Sequence, residues 1–167
     1  MPASKTTRSA RLADQFEAAQ ESFIRLVESL TVEHWRMKGE NTPELRINDE
    51  DESRPVGVIA HHVAANQDWI MNRIKAIVED KPTPPVDFKS INAQHANEHA
   101  HATRAEVLAL LRDCKPRIAQ DLRAIPDDQL DKERQFPTGT MTVQQRIERV
   151  LIGHMKSHQA SIEATVA

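Results

Sequence analysis

The period of the apolar residues constrains the fold of this chain more than any other feature. Four long segments place apolar side chains every three to four residues, the 3.6-residue period of a helix with one buried face. The first stripe, Leu12, Phe16, Ala19, Phe23, Ile24, Val27 and Leu30, predicts a helix over 9–30. The second starts at Pro55, a favoured first helical position, and runs through Ile59, His62, Val63, Ile70 and Ile74 to about Val78. The prolines Pro82, Pro84 and Pro85 end it. Thr103 with Glu106 forms a capping-box pattern, so a third helix starts there and continues through Val107, Leu111, Ile118 and Leu122, with Pro116 predicted to kink or split it. Thr142 with Gln145 repeats the pattern before the fourth stripe, Val143, Ile147, Val150, Leu151, His154, Met155, His158 and Ile162. No period-2 run of strand length competes.

The intervening segments are shorter or polar. Thr31 caps a turn through Trp35, 41–54 reads as an acidic surface loop, 90–101 as a histidine-bearing helical piece, and 131–141 as a loop. These segments predict an all-α four-helix bundle with long connections between helices 1 and 2 and between helices 2 and 3. A single domain over 9–167 fits the length, with 1–8 as a flexible N-terminus.

Composition removes several function classes. Lys plus Arg number 22 against 25 Asp plus Glu, a net charge of -3, so there is no global basic footprint for nucleic acid. No apolar run reaches the roughly 18 residues that span a bilayer, and no apolar core of a signal peptide follows the basic start. The single cysteine, Cys114, excludes an internal disulfide framework, fits a reducing cytoplasmic compartment, and reads as a packing residue. Arg146, Glu148 and Arg149 read as a solvated helix face, with a homodimer contact as the alternative.

The residues that point to chemistry are histidines. His154 and His158 stand four apart, on one helix face. His62 lies on or beside the core stripe of helix 2. Three buried imidazoles without partners cost free energy, and ligation of one divalent ion removes that cost while leaving coordination positions open. Imidazole nitrogen suits Zn²⁺, Ni²⁺ or Cu²⁺. His61 points about 100° away from His62 and is expected on the solvent side or as a supporting residue. His95 to His99 spells H-x-x-E-H, the inverted zinc-protease motif, and His101 follows. The reading preferred for that cluster is the rim of a pocket, with Glu98 as the one carboxylate placed to act as a general base through a metal-bound water.

Three segments carry a resemblance to a known family. PVGVIAHHVAANQDW (55–69) resembles the second helix of DinB-like (YfiT-like) proteins, with His62-Val63-Ala64 matching the family's histidine. TVQQRIERVLIGHMKSH (142–158) resembles the last helix, which ends in H-x-x-x-H, and LTVEHW (30–35) fits the turn after the first. After the last histidine, family members often carry Arg-Gly-Gln, and this chain has Gln159-Ala160-Ser161. The resemblance implies a four-helix bundle of DinB/YfiT-like type that binds a divalent metal, Zn or Ni, through His62, His154 and His158. It also implies a small-molecule substrate and a low-molecular-weight thiol such as bacillithiol, mycothiol or glutathione, in transferase chemistry. Metal-dependent hydrolysis and a non-catalytic, stress-associated metal-binding bundle are the alternatives.

Overall fold

The computed structural model describes residues 6–39 and 54–167, so most of the acidic loop and the extreme N-terminus lie outside the described residues. The order is α1 (Arg8–Ser29), α2 (Val32–Arg36), α3 (Val56–Val78), α4 (Phe88–Glu98), α5 (Arg104–Arg123), a 3₁₀ turn (Asp127–Asp131), β1 (Glu133–Phe136), β2 (Gly139–Thr142), α6 (Val143–Arg146), a π-helical segment (Ile147–Ile152) and α7 (Gly153–Val166). The bundle is formed by α1, α3, α5 and the composite last helix, with α1 packed chiefly on α5, and α3 on both α5 and α7.

Three of the long helices begin where a nearby side chain satisfies free N–H groups. Thr103 and Glu106 form the expected reciprocal capping box, as do Thr142 and Gln145. Thr31 caps α2, with His34 as its reciprocal partner. At α1 the Thr7 hydroxyl accepts from Ala10 N–H, and the Asp127 carboxylate accepts from the backbone N–H groups of Arg8 (2.9 Å) and Ser9 (3.0 Å). Arg8, expected in a flexible terminus, is thus the first residue of a doubly capped helix, and its guanidinium pairs with Asp131 at 2.8 Å.

The start of α3 is fixed by backbone contacts with the residues that follow α2. Met37 C=O accepts from Val56 N–H, and Arg54 C=O accepts from Gly39 N–H. Trp35 lies flat against Gly57, where a Cβ would stand 2.3 Å from the indole nitrogen, and that nitrogen donates to Ala102 C=O at 2.9 Å. One indole therefore ties α2 to α3 and to the link that joins α4 and α5.

The core is aliphatic with two phenylalanines, Phe16 and Phe23, and it contains one polar knot. Gln67 donates to Gln20 at 2.7 Å, Gln20 donates to Leu111 C=O at 3.0 Å, and the Cys114 thiol donates to Gln67 at 3.3 Å. Each group in this fully buried set has a partner, which is the condition for a buried amide to be tolerated. Cys114 is buried, and burial pushes its thiol up to about 12. Pro116 lies in the interior of α5 without splitting it.

Three expectations are corrected. The segment 131–141 is not a loop: Glu133–Phe136 pairs antiparallel with Gly139–Thr142 in a short hairpin, and Gly139 takes a positive φ of 116° at its turn. Each strand has only four residues, mostly polar, at the lower limit of the length over which alternation is legible. Arg146 is not on a solvated face, because Phe136 of that hairpin covers it, with the guanidinium 4.1 Å from the ring centroid. Burial, and then Arg73, lowers its pKa to about 10. Finally, the last helix is not a uniform α-helix. Within its π segment Ile152 is buried while Val150 is only half-buried. Gly153 permits the π segment, since a Cβ there would meet Glu148 C=O at 3.1 Å.

Candidate metal centre

α3 carries His61 and His62 near its start, and α7 carries His154 and His158 one helical turn apart. The packing of α3 against α7 brings three of these rings together. His154 Nε2 lies 3.1 Å from His62 Nε2 and 3.1 Å from His158 Nε2. A ring nitrogen has either one proton or one in-plane lone pair, so Nε2 of His154 cannot serve both neighbours well in hydrogen bonds. A single ion resolves the conflict. Imidazole nitrogens about 2.0–2.1 Å from one metal stand about 2.8–3.4 Å apart at octahedral or tetrahedral angles. Both 3.1 Å spacings fall in that range, all three nitrogens lie within 4.8 Å of one another, and the donor set of neutral imidazoles suits a first-row divalent ion.

His62 and His158 are buried, while His154 is partly exposed and forms the outward edge of the group. Asn66, one turn after His62, places its amide 3.1 Å from His62 Nδ1 and 3.2 Å from Nε2. Amide oxygen and nitrogen are interchangeable by a flip, so Asn66 can accept a proton from the His62 ring, and with an ion on Nε2 the nitrogen it would hold is Nδ1. Asn66 had not been singled out from the sequence, although its i+4 spacing from His62 is the signal that could have found it.

His61 departs furthest from expectation. It is neither on the solvent side nor a support for His62, being 7% exposed and facing α4. Its Nδ1 lies 2.8 Å from His95 Nε2, and its ring stacks on His99 with centroids 3.9 Å apart. His61, His95 and His99 each offer one nitrogen, and the three nitrogens lie within 4.8 Å of one another. Burial first, and then the neighbouring His99, holds His61 below its ordinary pKa. Burial, then His61 and His99, pushes His95 down to about 4. A cleft of about 500 Å³ opens beside His61 and His99, with Glu106, Ala109, Leu110 and Asp113 completing its walls.

The other sequence candidates fall outside both groups. Glu98, the candidate general base, is exposed, and its carboxylate accepts from Gln94 at 2.7 Å. His101 is exposed and lines a separate cleft with Trp35 and Arg104. Among the described residues, no helix is long and apolar enough to cross a membrane.

A helical bundle whose second and last long helices bring histidines together is the arrangement expected from the sequence resemblance. The model of the DinB superfamily matches residues 15–162, a span from inside α1 to inside α7 that takes in both histidine groups. Neither the curated proteins nor the solved structures gave a match. From the match over most of its length, together with its all-α bundle, the chain belongs to the DinB superfamily.

Proposed function

We propose that this protein binds a divalent metal ion, Zn²⁺ or Ni²⁺, through His62, His154 and His158, and that it is an enzyme transferring a low-molecular-weight thiol to a small substrate. The observation that carries the metal reading is the convergence of three Nε2 atoms with His154 3.1 Å from each of the others. Such an ion, when bound, supplies the Lewis acidity that makes a thiol or a water nucleophilic near neutral pH.

The chain's own residues support the rest of the reading. Asn66 lies against both nitrogens of the His62 ring, and with an ion on Nε2 its amide oxygen would accept from Nδ1. Burial of His62 and His158 keeps water from competing for their nitrogens. The thiol must come from outside the chain. Cys114 is buried beneath the polar knot, its thiol pushed up to about 12, so it is not a nucleophile. The preference for a thiol over water rests on the resemblance to DinB-like thiol-dependent enzymes.

The test is elemental analysis of the purified wild type and of His154→Ala, both prepared without chelators. The expected result is metal in the wild type and a loss of at least one equivalent in the variant. Equal content in both, or none in the wild type, would overturn the assignment. Small electrophiles are then offered with bacillithiol, mycothiol and glutathione in turn. Product formation without thiol dependence would replace the transferase reading by hydrolysis.

A further inference from the structure

The two histidines that are adjacent on α3 serve different partners. Adjacent residues on a helix point about 100° apart. His62 therefore faces α7, where it meets His154 and His158, while His61 faces α4, where it meets His95 and His99. Both partner pairs have the same i,i+4 spacing, and in both cases a third ring comes from the neighbouring helix. The second group thus repeats the construction of the first with different residues.

A hydrogen-bonded cluster does not account for it. Contact between His61 Nδ1 and His95 Nε2 uses one nitrogen of each ring. Nδ1 of His95 is then buried without a hydrogen-bond partner. The orphan persists in either tautomer of His95, as a donor without an acceptor or as a lone pair without a donor, and an ion held at Nδ1 would give it a partner. Three rings packed this closely must also stay neutral, because like charges at these separations repel. Neutral imidazole is the ligand form. The carboxylates of Glu106 and Glu98 add negative potential at His61 and His95, and the guanidinium of Arg54 opposes it at His95. The two groups adjoin: the rings of His62 and His95 meet edge to face with centroids 5.6 Å apart.

We infer that His61, His95 and His99 form a second divalent-metal site, which takes a first-row transition ion and lies beside the site proposed for His62, His154 and His158. His95 and His99 come from the last turn and C-cap of α4, an 11-residue helix with no buried residue of its own, so this site closes around its ion by a small movement of α4. Two of its three rings are only half-buried, against one of three in the first group, so water competes more strongly for its nitrogens, which makes it the weaker of the two. His61 and His99 line the 500 Å³ cleft, so ions and small molecules reach the site from solvent.

The inference is tested by Zn²⁺ stoichiometry on the full chain, stripped with chelator and then titrated calorimetrically, with thermal melts confirming that each variant is folded. The wild type is expected to bind two equivalents, the second at least tenfold weaker. His99→Ala should retain only the tight one and His154→Ala only the weak one. His99→Ala is the informative variant because its side chain is half-exposed, and His95→Ala repeats the test from the same helix. A wild type binding one equivalent that His99→Ala keeps and His154→Ala loses overturns this inference and leaves the first site standing. Two equivalents undiminished in both His99→Ala and His95→Ala overturn the ligand assignment. One equivalent that His99→Ala loses and His154→Ala keeps has the reverse meaning: this site stands and the reading under Proposed function fails.

Discussion

Replacing Gly57 by alanine separates the tertiary structure from helix propensity, because the two predict opposite signs. Gly57 lies in the first turn of α3, and in a helix interior alanine is favoured over glycine by about 1 kcal/mol. In the folded protein, however, the added Cβ would lie 2.3 Å from Trp35 Nε1, 2.5 Å from Cε2 and 2.8 Å from Cδ1. Non-bonded heavy atoms come to rest at about 3.5–4.0 Å, so the indole must retreat by roughly 1 Å. A retreat of that size breaks the 2.9 Å hydrogen bond from Trp35 to Ala102 C=O. Overpacking of this kind costs about 1–3 kcal/mol and the lost hydrogen bond about 1 kcal/mol. Set against the propensity gain, the net loss is about 1–3 kcal/mol. Urea unfolding followed by far-ultraviolet circular dichroism should show the midpoint lowered at unchanged slope, and melting should fall by roughly 2–4 °C per kcal/mol for a chain of this size. Trp35 fluorescence should shift as well, since its indole moves toward solvent. A Gly57→Ala protein as stable as the wild type, or more so, would refute the close seating of Trp35 on α3 and with it the account of how α2 is held.

Two further outcomes follow from the same structure. Asn66→Leu removes the amide that lies against the His62 ring and should weaken metal binding by about 10–100-fold in a competitive chelator titration, and unchanged affinity would show that Asn66 does not hold that ring. The carboxylate of Asp127 is held below its ordinary pKa of 3.8 by the backbone N–H groups of Arg8 and Ser9, and that of Asp131 by the Arg8 guanidinium. A folded-state pKa below the unfolded value means that the unfolded chain takes up protons first. The stability from these groups is therefore present above about pH 4 and is lost as pH falls through the lowered values. The urea midpoint should drop with acid over that window, and it should drop less steeply in Asp127→Asn; equal slopes would remove α1 capping as the cause.

The sequence by itself determined what depends on neighbours along the chain. The capping boxes at Thr103 and Thr142 act across three residues, the apolar stripes arise from a fixed angular step, and His154 and His158 share a face because a helix turns once in 3.6 residues. Those terms are local, so the bundle and one pair of histidines were legible before any coordinates. The hairpin at Glu133–Thr142 was not, because strands so short take their stability from packing against the bundle, as Phe136 does over Arg146. The π segment at Ile147–Ile152 was equally silent, since an extra residue in a turn leaves an apolar stripe that still reads as helical. Family resemblance grouped His62 with His154 and His158, but spacing alone did not, and the meeting of His61 with His95 and His99 was decided by tertiary structure alone. The meeting of His62 with α7, and of His61 with His95 and His99, depends on which helices flank α3 and on the phase in which each approaches. Contacts of that kind join residues tens of positions apart, so the spacing of histidines along the chain identifies candidate ligands without saying which of them share an ion.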